Sequence, residues 1–141
     1  MNFKQDRKLI TESQEDYLEA ILQLTNEKKV ARNMEIADLL GVKRATVTRA
    51  VKLLATKGLV EHETHGYVTL TKLGKSIALE ITERHNLFTH FFKDILDLDP
   101  SEASELACRV EHLISGKVLQ KFKKLIDFID KTAGFKKTGG F

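Results

Sequence analysis

What this 141-residue sequence lacks narrows its class first. It has one cysteine, Cys108, so no internal disulfide forms and the chain suits a reducing compartment. It has one proline, Pro100, and no tryptophan, so long helices run uninterrupted. Eight glycines are few for an all-β protein. No apolar run approaches the roughly 18 residues of a membrane span. The polar N-terminus carries no apolar signal-peptide core. The expectation is a cytoplasmic protein with no membrane partner. No H-E-x-x-H motif, Ser-centred triad or phosphate-binding glycine loop occurs, so a metallohydrolase reading has no motif behind it and no enzyme is expected.

What is present is ordinary in bulk, with 42% hydrophobic and 30% charged residues, values of a globular chain. The net charge of +3 is unevenly placed. Residues 1–75 carry 13 Lys and Arg against 10 Asp and Glu, whereas residues 76–141 balance at 10 and 10. Between Lys43 and Lys57 stand Lys43, Arg44, Arg49, Lys52 and Lys57 with no acid. A local basic face on an otherwise mild chain points to one element that docks a polyanion.

Periodicity supplies the elements. After a polar arm, residues 1–12, Ser13 or a neighbour caps a helix to about Asn26, with Tyr17, Leu18, Ile21, Leu22 and Leu24 on its apolar stripe. Asn33 is the expected N-cap of a short helix through Leu40, and Gly41 supplies the left-handed turn after it. A second helix spans Lys43–Lys57, turning Val47, Ala50, Val51 and Leu54 inward. Gly58 ends it, and Leu59–Leu70 alternates as a hairpin around Thr64-His65-Gly66. Helix, glycine turn, helix and hairpin make a winged helix-turn-helix. Its second helix would enter the major groove of a double-stranded DNA operator, presenting Lys43, Arg44, Thr46, Thr48, Arg49 and Lys52. His62, His65 and Tyr67 of the wing would face the backbone or minor groove.

Thr71–Leu96 reads as one long, bent helix. Its Phe-rich end is too apolar for a lone surface helix, so it is expected to bury against other helices and a second subunit, the alternative being a purely intramolecular core. Ser101 is the expected cap of the next helix, which ends near Ser115-Gly116. A last amphipathic helix turns Val118, Leu119, Phe122, Leu125, Ile126 and Ile129 inward, before a Gly-rich tail expected to be mobile. The predicted fold class is mainly α: a winged helix-turn-helix domain over 1–74, then a helical dimerisation and metal-binding domain over 75–141.

Cys108, Glu111 and His112 fall at i, i+3 and i+4, which stacks their side chains on one helix face. A thiolate, a carboxylate and an imidazole converging there suit a divalent transition metal. By themselves the same residues also fit a small buried thiol beside a solvated Glu–His pair.

Three segments, Glu15-Asp16-Tyr17-Leu18-Glu19, Arg84-His85 and Cys108-x-x-Glu111-His112, set around a winged helix, resemble the diphtheria-toxin-repressor family. The likeness covers about residues 13–130 and is strongest to the shorter manganese-transport-regulator branch. It implies a homodimeric, metal-activated repressor of metal-uptake genes with no organic cofactor. Asp16, Glu19, His85, Glu111 and His112 fall where that branch places metal ligands, and Cys108 stands where it has a bridging Glu. The iron-responsive branch has Cys there, but Met where this chain has Asp16. Thr89 and Ser104 replace the Glu and His of that branch's ancillary site. The sequence stops before the SH3-like domain of longer iron regulators. The implied metal is Mn(II) or Fe(II), with Zn(II) or Co(II) as substitutes in vitro. The alternative is a winged-helix regulator that senses a small ligand, or an oxidant at Cys108, although Cys108 has no resolving partner in the chain.

Overall fold

The computed structural model describes residues 10–63 and 66–132. The start of the N-terminal arm, the hairpin tip Thr64-His65 and the Gly-rich tail lie outside these residues. The chain divides into two compact units, one through Ile81 and one from Thr82.

In the first unit, α1 (Glu12–Lys28) begins at Thr11 rather than Ser13. Thr11 and Gln14 exchange side-chain-to-backbone bonds of 3.2 and 3.1 Å, a reciprocal capping box that satisfies two backbone donors at once. Strand β1 (Ala31–Arg32) follows, then α2 (Asn33–Leu40). Asn33 is therefore the first helical residue and not the cap. Strand pairing continues through Arg32, and the Asn33 N–H donates to the Gly66 carbonyl at 3.4 Å. Gly41 has φ +66°, the left-handed conformation that turns α2 into α3 (Arg44–Thr56). Strands β2 (Val60–His62) and β3 (Tyr67–Leu70) complete an antiparallel sheet of order β1-β3-β2. Arg32 pairs with Tyr67 and His62 with Val68. Leu18, Ile21, Ile36, Val47, Val51, Leu54 and Val68 are fully buried in one core, each large side chain contributing about 1.5–3 kcal/mol of burial. That core fixes the recognition helix α3 against α1.

The helix α4 (Lys72–His90) gives Ile77, Ala78 and Ile81 to this core. Gly74 is required there: a Cβ at this position would stand 1.9 Å from the Leu59 carbonyl oxygen. Thr71 holds the same corner, its hydroxyl donating to the Gly58 carbonyl at 2.7 Å and accepting from the Gly74 N–H at 3.0 Å.

In the second unit the long helix ends in a π-helical turn, Phe91–Ile95. Asp99 caps α5 (Pro100–Glu111), accepting from the Ser101 N–H at 3.1 Å. Ser101 is thus inside the helix: Pro100 takes the first helical position, where its missing N–H costs nothing, and the cap falls to Asp99. Ser115 caps α6 (Gly116–Lys131). Phe88 is buried and stacks on Phe92, with Phe122 edge-on at 5.3 Å, so the Phe-rich segment builds an intramolecular core with Ala107 and Leu119. Val118 and Leu125, expected inside, are exposed, as are Leu113 and Phe128.

Candidate metal centre and DNA-binding face

The second unit brings four of the proposed ligands together. Ala103 and Ala107 are fully buried on α5, and the same helix carries Cys108 and Glu111. Glu111 is the last helical residue and His112 the C-cap, at φ −74° and ψ −19°. This backbone continues the helical course, so the i, i+3, i+4 stacking survives past the helix end. One donor atom each from Cys108, Glu111 and His112 lies within 4.8 Å of the others. From α4, His85 reaches Glu111 with Nδ1 2.9 Å from Oε2. His112 Nε2 stands 3.6 Å from Glu111 Oε1.

Glu111 is the centre of this group and is 1% exposed. Its Oε1 accepts no hydrogen bond from any described residue. A buried carboxylate oxygen left this way costs free energy unless a cation completes it. Ligand atoms about 2.1 Å from a metal sit roughly 3.4 Å from one another in a tetrahedral arrangement. The 2.9 and 3.6 Å separations bracket that spacing. The residues fit a divalent transition metal. Arg84, also buried, donates to the Glu111 carbonyl at 3.5 Å, satisfying one of the carbonyl acceptors that a helix C-terminus leaves open.

Asp16 and Glu19 belong to the first unit. They lie one turn apart on α1, half-buried, beside the buried Tyr17, Leu18 and Ala20. Burial raises the Tyr17 phenol above its usual range and keeps it neutral. The first turn of α1 is tied to the end of the recognition helix, since Lys57 Nζ donates to Gln14 Oε1 at 2.8 Å.

On the DNA-binding face, Lys43, Arg44, Arg49 and Lys52 are exposed on α3 and its cap, whereas Thr46 and Thr48 are half-buried. Thr48 donates its hydroxyl proton to the Arg44 carbonyl at 3.1 Å, so its methyl and lone pairs are what remain for a partner. Of the wing residues, His62 is exposed and Tyr67 half-buried, while His65 lies outside the described residues. Sequence reasoning missed Arg32. Its guanidinium donates to the Tyr67 hydroxyl at 3.1 Å and sits 5.2 Å from that ring's centroid. The available signal was a basic residue immediately before the first helix of the motif.

At the far end of α4, His90 places Nδ1 2.7 Å from Asp94 and Nε2 3.0 Å from Asp130. Partial burial would lower its pKa, but the two carboxylates outweigh it and the imidazole titrates above its ordinary range.

Two family models cover nearly the whole chain. The iron-dependent repressor N-terminal DNA-binding domain matches residues 9–74, and the metal-binding and dimerisation domain of the same family matches residues 71–133. An uncharacterised helix-turn-helix-type transcriptional regulator of Methanocaldococcus jannaschii is 36% identical over 124 residues, spanning 86% of this chain and 99% of that one. The transcriptional regulator MntR of Escherichia coli is 37% identical over 109 residues, 77% of this chain and 70% of the relative. A solved manganese-dependent transcriptional repressor in complex with manganese matches at TM-score 0.74 and 28% identity, over 82% of this chain and 53% of that one. The manganese regulator SloR matches at TM-score 0.73 and 28% identity, over 82% and 54%. The chain therefore spans about half the length of these solved proteins. With both domains matched and two relatives above 30% identity over more than two thirds of their length, the chain belongs to the iron-dependent repressor family of metal-dependent, DNA-binding transcriptional regulators.

Proposed function

We propose that this protein is a homodimeric repressor of metal-uptake genes that a divalent metal, Mn(II) or Fe(II), switches to its operator-binding form. The metal would be held by Asp16, Glu19, His85, Cys108, Glu111 and His112. The observation that carries this is Glu111, buried between two imidazoles with one carboxylate oxygen lacking a hydrogen-bond donor. A purely structural carboxylate would have that oxygen hydrogen-bonded; a metal ligand keeps it for a cation.

Bound there, the metal supplies the positive charge that offsets the clustered carboxylates. Asp16 and Glu19 contribute from α1, the helix whose first turn is tied to the recognition helix through Gln14 and Lys57. His85, Cys108, Glu111 and His112 contribute from the dimerisation domain. Holding these two groups together sets the two recognition helices of the dimer near one DNA turn apart, roughly 34–36 Å. Without that restraint the DNA-binding domains pay the ordering cost on binding. A preference of ~2–3 kcal/mol for the competent arrangement raises DNA affinity roughly 30–150-fold.

The donor set mixes hard carboxylates, which suit Mn(II) and Fe(II), with a thiolate, which shifts preference toward Fe(II), Co(II) or Zn(II). The homodimer uses the exposed apolar residues Leu113, Val118, Leu125 and Phe128 of the second unit. No catalysis belongs to this role, and its place is the cytoplasm. No helix among the described residues is long and apolar enough to cross a membrane. The test is DNA-binding anisotropy on the gene's own upstream region at fixed salt, with chelator, Mn(II) and anaerobic Fe(II) in parallel. Metal-dependent tightening is expected, and its ranking reports the metal. Equally tight, sequence-specific binding in chelator overturns the proposal.

A further inference from the structure

Beside the recognition helix lies a cleft of about 450 Å³, lined by Arg32, Asn33, Arg44, Thr48, Gly66 and Tyr67 among others, and by no carboxylate. Two guanidinium groups from different elements face it: Arg44 from the first turn of α3 and Arg32 from β1. Arg32 is held in place. It is paired across the strands with Tyr67, whose hydroxyl accepts its Nη2–H at 3.1 Å while the ring lies under the guanidinium at 5.2 Å. A guanidinium donates five N–H groups in a rigid fork, and one bond to Tyr67 leaves the others for a planar or tetrahedral oxyanion. The cleft is open, basic and polar.

We infer that this cleft seats one phosphodiester of the DNA backbone, with Arg32 and Arg44 as its two cationic walls and Tyr67 as the residue that positions Arg32. The inference rests on the DNA-binding reading above and adds a contact outside the row Lys43–Lys52. Its role is to fix the register of the recognition helix on the duplex, not to read bases. It also gives the wing a function: β3 holds the arginine that grips the strand.

The test uses the full, metal-loaded protein, with Arg32→Gln, Arg32→Lys and Tyr67→Phe beside wild type. Each is titrated against the upstream duplex and against an unrelated duplex of equal length, from 50 to 200 mM salt. For Arg32→Gln, affinity falls by the same factor on both duplexes. The slope of log K against log salt becomes shallower by about 0.9 per bound copy, so the wild-type advantage shrinks about 3.5-fold per copy across that range. Arg32→Lys restores the slope because it keeps the charge. Tyr67→Phe keeps the slope and weakens binding about two- to tenfold, the effect of one lost orienting hydrogen bond. An unchanged salt slope in Arg32→Gln overturns the inference, and a loss confined to the upstream duplex would make Arg32 a base reader instead. If wild type binds neither duplex, it is the DNA-binding reading that fails.

Discussion

Replacing Glu111 by glutamine separates a metal ligand from a structural ion pair, because the two roles predict opposite melting behaviour. The amide keeps the volume of a side chain that is 1% exposed, so no cavity opens. If Glu111 is a ligand, wild type at a free metal concentration one hundred times Kd gains about 2.7 kcal/mol. For a chain of this size that raises Tm by roughly 8–11 °C. Losing the anionic ligand weakens metal binding by at least about a hundredfold, since even residues behind the ligands are worth 10–100-fold. At the same metal concentration the variant then gains only about 0.4 kcal/mol, a rise of roughly 1–2 °C. In chelator the variant melts at or slightly above wild type, because a buried carboxylate oxygen without a hydrogen-bond donor has been removed. Thermal melts by circular dichroism, with chelator and with Mn(II), measure both quantities. If Glu111 instead serves only to pair with His85 and His112, its loss costs about 3–5 kcal/mol. The variant would then melt ten degrees or more below wild type in chelator, and metal would shift neither protein. That result would refute the assignment.

Two further outcomes follow from the geometry. The His90 imidazolium bridges Asp94 and Asp130, and its raised pKa means that its stabilisation is complete below about pH 6.5 and is lost as pH rises through the folded value. Urea melts should therefore show wild type ahead of His90→Asn at pH 6 and converging with it at pH 9; a gap independent of pH would contradict this. Gly74→Ala should cost at least about 3 kcal/mol, the range of a severe backbone clash, because the added methyl meets the Leu59 carbonyl at 1.9 Å. A variant with wild-type stability would show that the corner between β2 and α4 relaxes freely.

Much of this was legible in the chain itself. The winged helix-turn-helix follows from period and glycine placement: Gly41 supplies a positive φ, and the stripe Val47, Val51, Leu54 is fully buried. The triplet at 108, 111 and 112 also reads correctly as one face, although the helix ends at Glu111, because His112 keeps helical dihedrals. What was not legible depends on tertiary contact. Strand β1 is two residues long, too short for alternation to register, and it exists because β3 pairs with it. That pairing moved the cap of α2 back from Asn33 to Arg32 and set Arg32 against Tyr67. The close approach at Gly74 is invisible without Leu59. Val118 and Leu125 were expected inside from an amphipathic period that cannot distinguish a core from an exposed apolar face. Nor does spacing say that Glu111 is buried with its Oε1 left without a hydrogen-bond donor, which only the tertiary packing decides.

In the proposed mechanism, carboxylates on α1 and the cluster at His85, Cys108, Glu111 and His112 act as one metal site that governs DNA affinity. The most direct measurement is DNA-binding anisotropy of Asp16→Ala beside wild type, in chelator and in saturating Mn(II) at the same salt. Wild type should tighten roughly 30–150-fold with metal, and Asp16→Ala should bind as weakly with metal as without. If Asp16→Ala keeps the full metal response, α1 is no part of the switch and the coupling proposed here is wrong.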